Sequence, residues 1–173
     1  MIDKEKSNWL EKFNSVSAAR GREMMLKCCH SQRWVDMVLA GRPYASIDLL
    51  FDESDRIWWS LDPCDWLEAF SGHPRIGDRA MIAKKFTSTA AWAQNEQAAA
   101  LSASDEIIER LAVLNREYEN KFGFIFLICA TDKSATEMIE AFNLRLKNSS
   151  DIELKIAAAE QAKISRLRIL RCP

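Results

Sequence analysis

His73, one of only two histidines in the sequence, lies in a segment rich in turn-forming residues, where it could transfer protons. The segment, Ser71-Gly-His-Pro-Arg-Ile-Gly-Asp78, is interrupted by two glycines and a proline. Because Pro74 restricts the residue before it to extended conformations, the imidazole should be held in one direction. Imidazole titrates nearest to neutral pH, so a held and partly buried histidine suits general acid or base chemistry. The competing interpretation is that His73 only fills a turn or caps a helix.

A carboxylate and a guanidinium elsewhere in the sequence could complete such a site. Glu96 lies in an alanine-rich stretch that should be helical, where a carboxylate is usually a solvated surface group. Next to His73, however, it would orient the imidazole and stabilise the protonated form. Arg168 follows Ile164 by one helical turn and should point inward with it, where a guanidinium would seek a carboxylate. Its alternative role is to compensate the dipole of the last helix.

The five cysteines do not indicate a metal site. Their number is odd and they include no C-x-x-C pair. The run Cys28-Cys29-His30 has adjacent thiols, which lack the ligand spacing of zinc sites. In a reducing compartment such cysteines are expected to act as small buried hydrophobic residues. We therefore predict no metal ligands in this chain.

Helix signals dominate the elements that must position these groups. Two segments, Ser134 to Glu137 and Ser150 to Glu153, place a hydroxyl at a helix cap and a glutamate three residues later, so each predicts a helix start. A third helix should contain Ile107, Leu111 and Leu114 on one face and stop at Gly123. A fourth should begin at Asp62-Pro63 and bury Trp66, Leu67 and Phe70. Segments 17–40, 45–60 and 88–99 also have helical patterns.

The apolar run from Phe122 to Ala130 is ambiguous on its own, because aromatic and β-branched residues in a short run fit either a strand or a buried turn. No second strand is predicted to pair with it. We therefore expect an extended connection buried against packed helices. Its amides must find hydrogen-bond partners, and a polar ligand is one candidate.

The composition predicts a single all-α domain, a compact helical bundle over residues 1–173. The chain is 48% hydrophobic and 28% charged, with five glycines and four prolines. A net charge of -1 without a separate basic block argues against nucleic-acid binding.

The longest apolar run falls short of the roughly 20 residues of a membrane helix. The first residues lack a secretory apolar region and the last three are not S-K-L, so we expect a cytoplasmic protein.

Taken together, several motifs resemble the family of 2-oxo-4-hydroxy-4-carboxy-5-ureidoimidazoline (OHCU) decarboxylases, which act in urate catabolism. Each motif is weak alone, but their order and spacing from about Arg42-Pro43 to the end are specific. They are His73-Pro-Arg-Ile-Gly-Asp78, Glu96-Gln97, Asn115-x-x-Tyr118-x-x-Lys121-Phe-Gly-Phe-Ile-Phe126, Arg145-Leu-x-Asn148 and Leu167-Arg168.

The resemblance implies a homodimer that converts OHCU into S-allantoin and CO2 without a cofactor. It implies His73, Glu96 and Arg168 as the catalytic residues. The substrate contacts that it implies are Pro74, Ala93, Gln94, Asn95, Gln97 and the backbone of Phe126, Leu127, Ile128, Cys129 and Ala130. One departure is Ala93, where many family members carry a serine, so recognition of the ureide should differ there.

Two other functions fit the same residues. One is a helical module that binds a ureide without turning it over, which the Ala93 departure favours. The other is a cofactor-free ureide hydrolase that uses His73 and Glu96 to activate water. Release of CO2, rather than of ammonia or an opened ring, would distinguish a decarboxylase from a hydrolase.

Overall fold

The computed structural model describes residues 2–74, 105–131 and 133–171, and all regular structure within these ranges is α-helical. The all-α prediction is thereby confirmed. The helices are α1 (Ile2–Ser15), α2 (Ala18–Cys28), α3 (Gln32–Ala40), α4 (Ile47–Ser60), α5 (Pro63–Ser71), α6 (Asp105–Phe122), α7 (Ala135–Arg145) and α8 (Ser150–Arg171). The predicted helix over 88–99 lies outside the described residues. In the described part of the chain, no helix has both the length and the apolar character needed to span a bilayer.

The chain forms two compact units. The first unit comprises Met1–Gly72 and Gln161–Pro173, and the second comprises His73–Glu160. Helix α8 begins in the second unit and ends in the first, so the first unit is assembled from two separate stretches of sequence.

In the first unit, serine caps divide the helices that the sequence pattern predicted. Ser17, Ser31 and Ser46 each accept a hydrogen bond from a backbone amide in the first turn of the helix that follows. The pattern over 17–40 is therefore two helices, separated at residues 29–31, rather than one. The core of the unit is rich in large side chains, including Phe13, Met24, Met25, Trp34, Val38, Leu50, Ile57, Trp58 and Phe70.

Helix α5 begins as predicted, with Asp62 at the cap and Pro63 as its first residue. Its buried stripe differs from the prediction at one position. Trp66 and Phe70 are buried, but Leu67 is 40% exposed. Trp66 and Phe70 are four residues apart and share one face of the helix. Each residue turns the helix by about 100°, so Leu67 lies off that face. The prediction that Leu67 is buried was wrong for this reason.

The second unit packs α6 and α7 around one aromatic cluster. Leu111, Leu114, Tyr118, Phe126, Ala135 and Phe142 form its buried part, and Ile107 packs against it. The predicted apolar face of α6 is thereby confirmed. Phe126 stacks on Phe142 with 3.6 Å between the ring centroids, and Tyr118 meets Phe126 edge-on at 5.1 Å.

All three predicted helix ends in the second unit are confirmed. Gly123 ends α6 with a φ of 80°, and its amide donates to the Glu119 carbonyl at 2.8 Å. Ser134 and Glu137 form the predicted capping box of α7. Helix α8 begins at Ser150, as predicted, but the Glu153 carboxylate is fully buried and accepts hydrogen bonds from Tyr118 and Asn148.

Candidate active site

His73 and Pro74 directly follow α5 and are both half-buried. The preceding residue, Gly72, has to be small, since a Cβ atom there would lie 2.5 Å from the Cβ atom of His30. Partial burial of the imidazole is compatible with proton transfer, because it limits exchange with bulk water. The catalytic role of His73 stays a prediction.

The predicted partner of His73 cannot be placed next to it, because Glu96 lies outside the described residues, as do Ala93, Gln94, Asn95 and Gln97. The predicted contact between the imidazole and the carboxylate therefore stays a prediction, and so do the substrate contacts of this stretch.

The run from Gly123 to Thr131, which we call the 123–131 connection, is neither helix nor strand. Phe126 and Leu127 are buried, and Ile128, Cys129 and Ala130 are half-buried. A buried extended connection was predicted from Phe122 to Ala130. The structure confirms a largely buried connection outside helices and strands, except that Phe122 is the last residue of α6. Because the connection belongs to no helix or strand, its buried amides and carbonyls need hydrogen-bond partners from elsewhere in the protein or from a ligand.

Side chains from three helices bind the backbone of the 123–131 connection. The Phe126 amide donates to Asn115 Oδ1 of α6 at 3.4 Å. The Leu127 carbonyl accepts from Arg145 Nη1 of α7 at 2.6 Å. The Cys129 amide donates to Glu160 Oε2 of α8 at 2.6 Å. The last two are charge-assisted hydrogen bonds, which are shorter and stronger than neutral ones. At these three groups the protein itself, rather than a ligand, supplies the expected partner.

Arg145 is held by a buried carboxylate. Its Nη2 lies 2.6 Å from Glu153 Oε1, and the Glu153 side chain has no exposed surface. The Tyr118 hydroxyl donates to the same oxygen, while Asn148 Nδ2 donates to Glu153 Oε2 at 2.7 Å. The Arg145 guanidinium also lies over the Phe126 ring, 4.3 Å from its centroid. Both carboxylate oxygens and the guanidinium have hydrogen-bond partners. These bonds offset the cost of removing the two charges from water and hold the pair in place.

The buried carboxylate also acts on Tyr118. Burial, followed by the hydrogen bond to Glu153, raises the pKa of the Tyr118 phenol above its ordinary value. The phenol therefore keeps its proton and stays a hydrogen-bond donor across the physiological pH range.

Sequence reasoning did not identify Glu153 or Glu160 as residues that shape the site. Glu153 was assigned to a helix cap, and Glu160 was not singled out. A signal was present in α8, where the buried residues Glu153, Ala157, Gln161, Ser165 and Ile169 recur every fourth position. Polar residues on a buried helix face indicate specific buried partners.

Arg168 is half-buried on the last turns of α8, and its Nη1 lies 3.5 Å from the Cys28 carbonyl. One acceptor of Arg168 is thus a backbone carbonyl, and the carboxylate partner that the sequence suggested stays a prediction. The Arg168 charge also acts on the neighbouring Cys29 thiol, but burial dominates and raises the pKa of Cys29 to about 11. Cys29 is therefore a neutral thiol near pH 7.

Within residues 2–74, 105–131 and 133–171, no three His, Cys, Asp or Glu side chains gather in a way that could hold a metal ion. The run Cys28-Cys29-His30 contributes two buried thiols and an exposed imidazole instead.

Comparison with known proteins identifies the family. The family model described as OHCU decarboxylase matches residues 14–170. The chain belongs to the OHCU decarboxylase family. A crystal structure of an OHCU decarboxylase, determined in the presence of (S)-allantoin, is 32% identical and superposes with a TM-score of 0.72, covering 84% of this chain and 94% of that one.

Some relatives of this chain are longer than the chain itself. The uric acid degradation bifunctional protein TTL of Arabidopsis thaliana is 36% identical over 87% of this chain and 47% of its own length. The 2-oxo-4-hydroxy-4-carboxy-5-ureidoimidazoline decarboxylase of Xenopus laevis is 38% identical over 56% of this chain and 55% of its own length. The chain thus spans about half the length of these two relatives.

Proposed function

We propose that this chain decarboxylates OHCU to S-allantoin and CO2 without a metal or an organic cofactor. The observation that carries the proposal is the match of the OHCU decarboxylase family to residues 14–170. Support comes from the 32% identical OHCU decarboxylase whose crystal structure was determined in the presence of (S)-allantoin. His73 is half-buried and precedes Pro74, which restricts its backbone, so it suits the role of proton donor in such a reaction.

The proposed chemistry is the replacement of a carboxylate by a proton. The bond between the ring carbon and the carboxylate breaks, CO2 leaves, and the electron pair stays on the ring carbon. Protonated His73 delivers its proton to one face of that carbon, which sets the configuration of the product. Glu96 orients the substrate and the imidazole, while Arg168 meets an anionic or carbonyl oxygen of the ligand.

The remaining substrate contacts serve recognition. In this proposal Pro74, the stretch from Ala93 to Gln97 and the backbone of the 123–131 connection surround the ureide ring. Because Ala93 has no hydroxyl, the contact that a serine would make is either missing or replaced by Gln94 or Asn95. General acid catalysis of this kind contributes about 10²- to 10⁴-fold.

We further propose that residues 1–173 act as one domain, that the chain is a homodimer and that it works in the cytoplasm. The family match supports the first point, since it includes residues of both units.

The proposal is tested by adding freshly generated OHCU to the purified chain and following allantoin by circular dichroism. The wild-type chain is expected to form S-allantoin and CO2. His73→Asn should remove stereospecific formation, leaving only spontaneous decay to both enantiomers, because the proton then comes from water.

His30→Asn is the matched control, since His30 is the other histidine of the chain and is exposed. It should retain activity. Near-normal turnover by His73→Asn would remove His73 from the mechanism. Binding of allantoin by a wild-type chain that forms none would instead favour a non-catalytic ureide-binding module, the function that the Ala93 departure suggests.

A further inference from the structure

The hydrogen bonds of the 123–131 connection determine where the backbone of Ile128 points. In a trans peptide group the carbonyl and the following amide point in opposite directions. The Leu127 carbonyl points to Arg145, so the Ile128 amide is directed away from Arg145. The Cys129 amide points to Glu160, so the Ile128 carbonyl is directed away from Glu160.

The side chain of Ile128 is occupied elsewhere, because it packs against the aromatic cluster of the second unit. Its backbone therefore offers a donor directed away from Arg145 and an acceptor directed away from Glu160. A ureide carries N–H and C=O groups, and an edge of this kind is complementary to it.

We propose that Glu160 is a positioning residue that fixes the Ile128 carbonyl to accept a hydrogen bond from a ureide N–H of the substrate. The inference rests on the proposed function and deepens it. Glu160 acts through the peptide group between Ile128 and Cys129 and does not itself take part in proton transfer.

Glu160 is suited to this role because the connection has no strand or helix ladder to prevent rotation of its peptide groups. Arg145 fixes the peptide group before Ile128, and the buried Glu153 holds Arg145 in turn. Glu160 fixes the peptide group after Ile128 with a short bond from a charged acceptor. Without it, that peptide group can rotate and its carbonyl loses its direction.

The test uses Glu160→Ala and Glu160→Gln in the full chain, with freshly generated OHCU as substrate. Glu160→Ala is expected to raise KM about 10-fold with little change in kcat, since a contact remote from the transferred proton is equally strong in the ground state and the transition state. Glu160→Gln keeps an acceptor oxygen and should recover most of that loss. A purely structural role would lower the amount of active protein without this division between KM and kcat.

Glu140→Ala is the matched control, because Glu140 is an exposed glutamate on α7 in the same unit. It should leave both constants unchanged. A second readout does not depend on turnover: the Cys129 amide proton in ¹⁵N–¹H spectra should lie at low field and shift upfield in Glu160→Ala.

The outcomes separate the two proposals. A wild-type chain that does not convert OHCU would overturn the proposed function and this inference with it. Normal conversion by the wild type, combined with an unchanged KM in Glu160→Ala, would overturn the inference alone. An unchanged Cys129 amide shift in Glu160→Ala would overturn it as well.

Discussion

Glu153 is a carboxylate that the folded chain removes completely from water. Ionised carboxylates are costly to bury unless they are paired and hydrogen-bonded. Here Arg145, Tyr118 and Asn148 supply those partners, and the same Arg145 holds the Leu127 carbonyl. Glu153, which is not one of the candidate catalytic residues, thereby maintains the shape of the 123–131 connection.

Glu153→Gln should lower the free energy of unfolding by about 3 to 5 kcal/mol, because it leaves the Arg145 charge buried without its partner. Urea denaturation followed by circular dichroism measures the change. Glu140→Gln makes the same chemical change at an exposed position of the same unit and should alter stability by less than about 0.5 kcal/mol. Equal stabilities for the two variants would show that the buried pair is not important.

At the scale of elements, Gly123 gives the clearest link between sequence and conformation. It ends α6 with a φ of 80°, and a Cβ atom there would meet no other atom within 4 Å. The need for glycine therefore comes from the backbone conformation alone and not from crowding. Left-handed conformations cost other L-residues about 1 to 2 kcal/mol.

Gly123→Ala is accordingly expected to destabilise the chain by about 1 kcal/mol, and Gly123→Asn by less, since asparagine adopts this conformation more readily. Thermal unfolding of the two variants beside the wild type measures both changes. If alanine were tolerated as well as asparagine, the backbone argument would be incorrect.

Local patterns predicted much of the helical structure. The capping box of α7, the start of α5, the end of α6 and the buried connection all follow from residues within a few positions of one another. The failures have a different origin. Glu153 fits a local capping pattern, but its partner Tyr118 is 35 positions away. Glu160 binds an amide 31 positions away. Such pairs depend on how the helices pack against one another, and the spacing of apolar residues along the sequence does not predict that packing.

The same limit applies to the candidate site. The sequence identified His73 by its neighbours and the 123–131 connection by its apolar run. It did not reveal which side chains hold that connection, because Asn115, Arg145 and Glu160 come from three different helices. The approach of Glu96 to His73 stays a prediction.

For the whole molecule, the buried Cys29 thiol should make stability depend on alkaline pH. Its pKa is raised by burial from 9.0 to about 11. Below pH 9 the thiol is protonated in both the folded and the unfolded chain, so stability does not change. Between pH 9 and 11 the unfolded chain releases the proton first, so the free energy of unfolding falls, by about 2 to 3 kcal/mol at most.

Cys29→Ala provides the comparison, since it removes the titrating group while keeping a small apolar side chain. Urea unfolding at several pH values should show a steeper alkaline decline for the wild type than for the variant. Parallel curves would mean that the thiol ionises as easily in the folded chain as in the unfolded one.

The division of the first unit into two stretches of sequence has a consequence for biosynthesis. Helices α1 to α5 leave the ribosome before α8, yet Gln161, Ser165 and Ile169 of α8 are buried residues of the same unit. The nascent helices α1 to α5 must therefore wait until α8 has been translated before their core can close. Until then the exposed apolar surface of this unit has to be protected from aggregation, by chaperones or by weak packing among its own helices.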